Sequence, residues 1–360
     1  MAEATIILPN FNNEQVLPIM FRSLKTFLNC PRYDFVMADD GSEDDSVAMA
    51  KRGVRDCGFA SVEIIQLPHR GIVHALNTAL SSAKTEFVIR LDGDATVETP
   101  DWISKLTMVL RHEEIGIVAG QVVWEDGRVH SFGRSVIGET GLHDMGCVPL
   151  EPTGSRTFDS IVYRPKGRFS DGCPYEVDTI LGVCVAFRRS EAQAAGGFDM
   201  RFSPVWIEDD DFGLGIRRLG RRVVVDPKIH VIHRPGLRGS REPGLPTGSR
   251  AGRAFKDAHF CKIQKDIFNR IIRSGKRICG KNRSAYSIED CIPTESSPWR
   301  SSILKSHYEN WKHKWGFDPI NPDMLKIYSK YWDTSLCWRV NPSQLESSRA
   351  FIRKMAAENL

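Results

Sequence analysis

The chain has 360 residues, 41% hydrophobic and 26% charged, with 49 basic against 45 acidic side chains for a formal net charge of +4. This describes an ordinary soluble globular protein, long enough for one large domain or a domain with an appendage. No apolar run approaches the roughly 18 residues that would suggest a membrane span, and the nine cysteines show no CxxC pair and no zinc-ligand spacing.

The first residues, MAEATIILPNF, have neither a basic stretch nor a long apolar one, so no secretory signal is expected. Free thiols in a reducing cytoplasm follow as the economical expectation. Thr5–Leu8 is an apolar run ending at Pro9-Asn10, a strand that feeds a loop. Apolar positions 16, 17, 20, 24, 27 and 28 have helical spacing over residues 14–28. Asp34–Ala38 is a second strand that ends at Asp39-Asp40-Gly41-Ser42, with Ser42 or Asp44 able to cap a helix reaching Cys57. Val62–Leu67 is a third strand and Val73–Ala83 a third helix. Phe87–Leu91 is a strand apolar enough to be buried on both faces, and it stops at Asp92-Gly93-Asp94. Thr99-Pro100-Asp101 opens a fourth helix, and Ile115–Gly120 is a fifth strand.

Strands alternating with helices predict an α/β fold with a mostly parallel sheet flanked by helices. Right-handed crossovers put every strand's C-terminal end on one rim, where open α/β sheets bind ligands. Asn10, Asp39, Asp40, Asp92 and Asp94 all fall on that rim. Carboxylates two residues apart at a strand end suit a hard divalent cation shared with a phosphate. Asp-Gly is equally common turn chemistry, and a rim Asp can simply serve the backbone of the next loop.

Residues 121–177 carry no clear pattern. Thr179–Arg188 reads as a buried strand, followed by a short helix and the turn at Gly196-Gly197. Trp206 and Ile207 precede four acids, Glu208 to Asp211, which run into an amphipathic helix. Val223–Val225 is a further strand, and His230 and His233 follow it, expected on one strand face. Residues 235–253 form a Gly/Pro/Arg-rich loop, read as a linker or an active-site lid. A helix over 255–272 and three C-terminal helices near 301–314, 322–332 and 342–358 complete the reading. Their aromatics are expected to pack on the main domain.

Five motifs in order now resemble family 2 glycosyltransferases, inverting enzymes with the GT-A (nucleotide-diphospho-sugar transferase) fold. They are TIILPNFN at 5–12, VMADDGS at 36–42, GIVHALNTA at 71–79, Leu91–Asp94, and the acidic block at 196–218 with the histidine after it. The stretch from Glu176 to His233 is most similar to the soluble rhamnosyltransferase-type branch. The resemblance implies a GT-A domain over 1–235, its nucleotide-sugar half near 1–120 and its acceptor half near 121–235. A basic loop and helix (236–300) and a C-terminal helical appendage (301–360) follow.

The resemblance also implies the site. Pro9, Phe11 and Asn12 belong to the loop that packs on the base, and Asp40 accepts the N–H of uracil or thymine. Asp39, Arg70, Asn77 and Asp92 complete the nucleotide-sugar set. Asp94, with Asp92 and His233, would hold Mn2+ or Mg2+ beside the diphosphate. The general base falls in Glu208-Asp209, with Asp209 favoured, although four consecutive acids at a helix start also suit the helix dipole. The partner implied is a UDP- or dTDP-sugar, with a lipid-linked saccharide as acceptor and peripheral contact with an anionic membrane. A natural product, a protein or a modified nucleic-acid base stays open as acceptor, though +4 is a weak footprint for nucleic acid. A nucleotidyltransferase would need a Gly-rich triphosphate loop after the first strand, which is missing. A scaffold with a degenerate site is opposed by the intact acids Asp40, Asp92, Asp94 and Asp209.

Overall fold

The computed structural model describes residues 2–125, 129–131, 133–135, 143–144, 174–177, 179–234 and 298–315. The expected loop at 235–253 and the helices at 255–272, 322–332 and 342–358 lie outside the described residues.

Strand β1 (Ala4–Asn10) is central because every one of its residues is buried, as a strand covered on both faces must be. It pairs in parallel with β2 (Tyr33–Asp39) on one side and with β4 (Phe87–Leu91) on the other, and β3 (Ser61–Gln66) adds in parallel beyond β2. Helices α1 (Leu17–Phe27), α2 (Ser46–Cys57) and α3 (Ile72–Ser82) make the crossovers. Alternation sorts the strand residues into two cores. Ile6, Leu8, Phe35, Met37, Ile89 and Leu91 face α1, α2 and α4 (Trp102–Leu110). Ile7, Val36, Ala38 and Val88 face α3 and the later helices.

The second half departs from the simple parallel array. Strand β6 (Ile115–Trp124) follows α4, but it does not pair with β4. Strand β11 (Cys184–Arg188) returns from the unpatterned region and inserts between them, antiparallel to both. Strand β12 (Arg222–His233) then lies parallel to β6, with a register shift between Asp226 and His230. Its far end pairs antiparallel with β5 (Ala95–Val97), and β10 (Tyr175–Val177) covers its outer edge. β7 (Val129–Ser131) pairs with β6, and β8 (Arg134–Ser135) forms a separate ladder with β9 (His143–Asp144). The ten-stranded sheet runs β10-β12-β6-β11-β4-β1-β2-β3, with β5 and β7 off this path.

Three helices complete the face opposite α1. These are α5 (Arg189–Ala194), α6 (Glu208–Arg218) and α7 (Pro298–Trp315). Trp311 and Trp315 of α7 are buried in the same core as Val185, Phe187 and Phe212. Trp311 and Trp315 therefore pack on the main domain, whereas Trp299 at the start of α7 is exposed. Two expectations need correction. Val223–Val225 is only the start of a twelve-residue strand that contains both histidines. His230 and His233 are three residues apart, so a strand places them on opposite faces; His230 is exposed and His233 is half-buried.

Candidate active site

The strand ends at the rim come first. Asp39 and Asp40 end β2 and are both buried. Asp39 serves its own loop: Asn10 Nδ2 donates to its Oδ1 at 2.7 Å, and Ser42 N donates to its Oδ2 at 3.0 Å. Asp40 looks the other way. Its two carboxylate oxygens accept the backbone N–H groups of Arg70 and Gly71, each at 2.8 Å. The His69 Nδ1 lies 2.7 Å from Asp40 Oδ2, and the His69 ring stacks on Phe11 with centroids 4.3 Å apart. Phe11 and Arg70 are exposed, while Pro9 is buried within β1. Asn12 braces the first loop, its backbone N–H donating to Ser42 Oγ and its side-chain oxygen accepting from Glu43 N.

Asn77 is turned elsewhere. Its amide nitrogen donates to Phe198 O at 2.7 Å and its oxygen accepts from Phe198 N at 2.9 Å. It pins α3 to the turn after Gly197 and stands apart from the Asp40 group. Gly71 has φ +96°, and a Cβ there would come within 2.4 Å of Pro204 Cα. Gly71→Ala is expected to cost about 2 kcal/mol in strain and to weaken nucleotide binding by shifting the amides at Asp40. A chemical melt and a nucleotide titration check this together.

The second group sits at the end of β4. Asp92 and Asp94 are both nearly buried. Gly93 between them is closely approached, since a Cβ would lie 2.8 Å from Asn13 Nδ2 and would push that side chain aside. β12 brings His233 Nε2 to 3.4 Å from Asp94 Oδ1. The connection is locked by Arg234 N, which donates to Asp94 O at 2.8 Å. Among the described residues no three or more His, Cys, Asp or Glu side chains form a preassembled metal cage. Two carboxylates and an imidazole nevertheless fit a Mn2+ or Mg2+ ion whose remaining ligands are water and substrate phosphate.

Arg90 joins this group to the third. It projects from β4 into the interior, 3% exposed. Its Nε is 3.2 Å from Asp92 Oδ1 and its Nη2 is 3.4 Å from Glu208 Oε1. The guanidinium also lies over the Phe198 ring at 5.8 Å, and Gly182 leaves it room. Burial lowers the Arg90 pKa, but the charges of Asp92, Glu208 and Asp209 outweigh that and raise it. The motifs do not single out Arg90, yet an Arg inside a strand buried on both faces is itself a signal, because a buried charge must be paired.

Glu208 and Asp209 open α6, one behind the other. Asp209 Oδ2 accepts from Gly182 N at 2.8 Å and its Oδ1 from Asp210 N at 2.9 Å. Glu208 is 4% exposed, and its Oε2 has no hydrogen-bond partner among the described residues. Burial and the neighbouring charge of Asp209 push its carboxyl from an ordinary 4.5 up to about 7, with Arg90 pulling the other way. Trp206 and Ile207, just before them, have φ of +76° and +69°. Two consecutive non-glycine residues in that region are strained, a feature that collects at functional sites.

A mixed sheet whose strand ends gather buried carboxylates on one rim is the arrangement in which open α/β sheets bind ligands. The model of glycosyl transferase family 2 matches residues 5–190. The chain belongs to that family and has the GT-A fold. The O-antigen biosynthesis protein RfbC of Myxococcus xanthus is 28% identical over 159 residues, 44% of this chain and 12% of the relative. The dodecaprenyl-phosphate galacturonate synthase of Rhizobium johnstonii is 29% identical over 160 residues, 40% of this chain and 46% of the relative. The chain thus spans less than half of either relative's length. A crystal structure of GalNAc-T7 with UDP, GalNAc and Mn2+ has the same fold, with a TM-score of 0.51 and 16% identity over 77% of this chain and 58% of that one.

Proposed function

We propose that this enzyme moves a sugar, with inversion, from a UDP- or dTDP-sugar to a hydroxyl of a lipid-linked saccharide in surface polysaccharide or glycoconjugate assembly. The observation that carries the reading is the Arg90 bridge, which holds the strand-end Asp92 and the helix-start Glu208 in one buried cluster. Donor-side and acceptor-side carboxylates are thereby next to each other. The lipid-linked acceptor is supported by the dodecaprenyl-phosphate relative. Peripheral contact with the carrier's membrane belongs to this reading; among the described residues no helix is long and apolar enough to cross a membrane. A dTDP-deoxyhexose stays beside the UDP-hexoses as donor in this reading, on the resemblance of residues 176–233 to the rhamnosyltransferase-type branch.

In this reading Asp94, Asp92 and His233 would hold the metal, which would neutralise charge on the diphosphate. Asp40 and Phe11 receive the base, and Arg70, exposed at the same loop, reaches the phosphates. The acceptor oxygen attacks the anomeric carbon as the bond to the diphosphate breaks. Its proton passes to the Glu208–Asp209 pair, and the nucleoside diphosphate leaves with the bonding electrons. A base whose ionisation is near the working pH is efficient. The Gly182 and Asp210 amides hold Asp209 in place while Glu208 carries the near-neutral ionisation.

The test is transfer measured with Glu208→Gln and Asp209→Asn across pH. Because a base works only when deprotonated, the wild-type rate should rise with pH through about 7. Each variant should lose about 10^2-fold in kcat, and Glu208→Gln should also lose the rise. Wild-type rates in both variants would end this assignment.

A further inference from the structure

The last turn of α7 reaches the first turn of α6. Lys314 Nζ lies 2.7 Å from Asp211 Oδ2 and 2.7 Å from Asp199 Oδ2. Trp315 Nε1 donates to Asp211 Oδ1 at 2.9 Å. Both oxygens of Asp211, itself 2% exposed, are therefore held by α7. Burial raises the Asp211 carboxyl, and Lys314 opposes that. Burial would raise Asp199 too, but Arg201 and Lys314 hold it well below the usual carboxylate range.

The grip continues along α7. Asn310 Nδ2 donates to Arg201 O at 2.8 Å, His307 Nε2 donates to Val205 O at 3.1 Å, and buried Trp311 packs edge-on to Phe202. The segment 199–211 is thus fastened at both ends, and its strained residues Trp206 and Ile207 lie between the fastenings. Its other side touches the donor loop. Ile72 N donates to Pro204 O at 2.8 Å, and Ser203 Oγ donates to Arg70 O at 2.9 Å. A strained turn keeps its geometry only when its surroundings over-determine it. α7 supplies those surroundings from a part of the chain beyond residues 5–190 matched by the family model.

We propose that α7 is a working part of the catalytic unit and that Lys314 is a positioning residue, holding the α6 start, with Glu208 and Asp209, against the donor loop. This rests on the reading that Glu208 and Asp209 take the acceptor proton. Lys314 touches neither substrate in this account; it acts through Asp211. A misplacement of about 1 Å at such a site can cost up to about 10^2-fold in rate.

The test uses the full chain carrying Lys314→Met, Lys314→Arg or Trp315→Phe. Donor affinity is measured by calorimetry with Mn2+, kcat by transfer, and folding by circular dichroism. Lys314→Met should lower kcat about tenfold or more while donor affinity stays within about twofold. Lys314→Arg should recover most of the rate, because it restores a cation between the two carboxylates. A purely structural role would lower kcat and donor affinity together, following the loss of folded protein, and would overturn the proposal. If Lys314→Met does not fold, Trp315→Phe decides, since it removes one hydrogen bond and keeps the aromatic packing; a kcat within about twofold of wild type overturns the proposal. Glu208→Gln and Asp209→Asn run alongside. Normal rates in those two defeat the base assignment, whereas losses there with an intact rate in folded Lys314→Met defeat only the inference about α7.

Discussion

Asp94→Ala is expected to fold normally and to lose transfer by about 10^3-fold or more. The carboxylate is buried at the end of a strand that contributes its own backbone to the lock, because Arg234 N donates to the Asp94 carbonyl and not to its side chain. Removing the side chain leaves that bond in place. What disappears is the carboxylate 3.4 Å from His233 and, in the proposed reading, the main anchor for the metal–diphosphate. The loss should fall on kcat and on metal-dependent nucleotide binding together. Steady-state kinetics with calorimetry of the nucleoside diphosphate, with and without Mn2+, measure both. His233→Ala should weaken the same metal dependence by a smaller factor, since an imidazole at 3.4 Å supports the carboxylate and does not replace it.

Arg90→Met should show the largest loss of stability, about 3–5 kcal/mol. The guanidinium is buried between Asp92 and Glu208, with Asp209 behind, and a methionine of similar reach fills the space without the charge. The remaining carboxylates then repel one another in a poorly solvated site. The pH dependence has a definite sign. The Glu208 carboxyl, raised from 4.5 to about 7, binds more protons in the folded than in the unfolded state between those values. Stability from this group therefore falls as pH rises across that window. Without Arg90 to hold the ionised form, the fall should be steeper, so the variant should melt closest to wild type below pH 6 and furthest from it near pH 8. A flat difference across that range would mean that Arg90 contributes packing alone.

Much of the first half was legible because two periodicities were clean. Strands with nearly continuous apolar runs announce burial on both faces, and helices carry their apolar stripe at three- and four-residue spacing. The rim acids followed from connection handedness alone. The order of the second half was not legible. Strand β11 enters between β4 and β6 after a long stretch without periodicity, and nothing local to Cys184–Arg188 tells which neighbours it takes. The sequence shows only the start of β12, because Asp226, Pro227 and Lys228 interrupt its apolar run where the register shifts. The site divided in the same way. Asp92, Asp94, Asp40 and the acids at 208–209 lie in local motifs and could be read directly. Arg90 could have been found by asking what pairs a charge in a buried strand. Lys314 and Trp315 could not, since their partner Asp211 is 103 and 104 residues away in sequence.

Binding of a metal–nucleotide-sugar by the strand-end acids can be tested without any acceptor. The most direct measurement incubates the full chain with a panel of UDP-, dTDP- and GDP-sugars and Mn2+ or Mg2+, without acceptor, and scores released nucleoside diphosphate, with Asp94→Ala in parallel. Nucleotide binding by calorimetry is recorded on the same samples. Metal-dependent binding and slow release from a UDP- or dTDP-sugar are expected, both lost in the variant. Neither release nor metal-dependent binding of any nucleotide, or equal values in wild type and Asp94→Ala, would contradict the metal–nucleotide-sugar site.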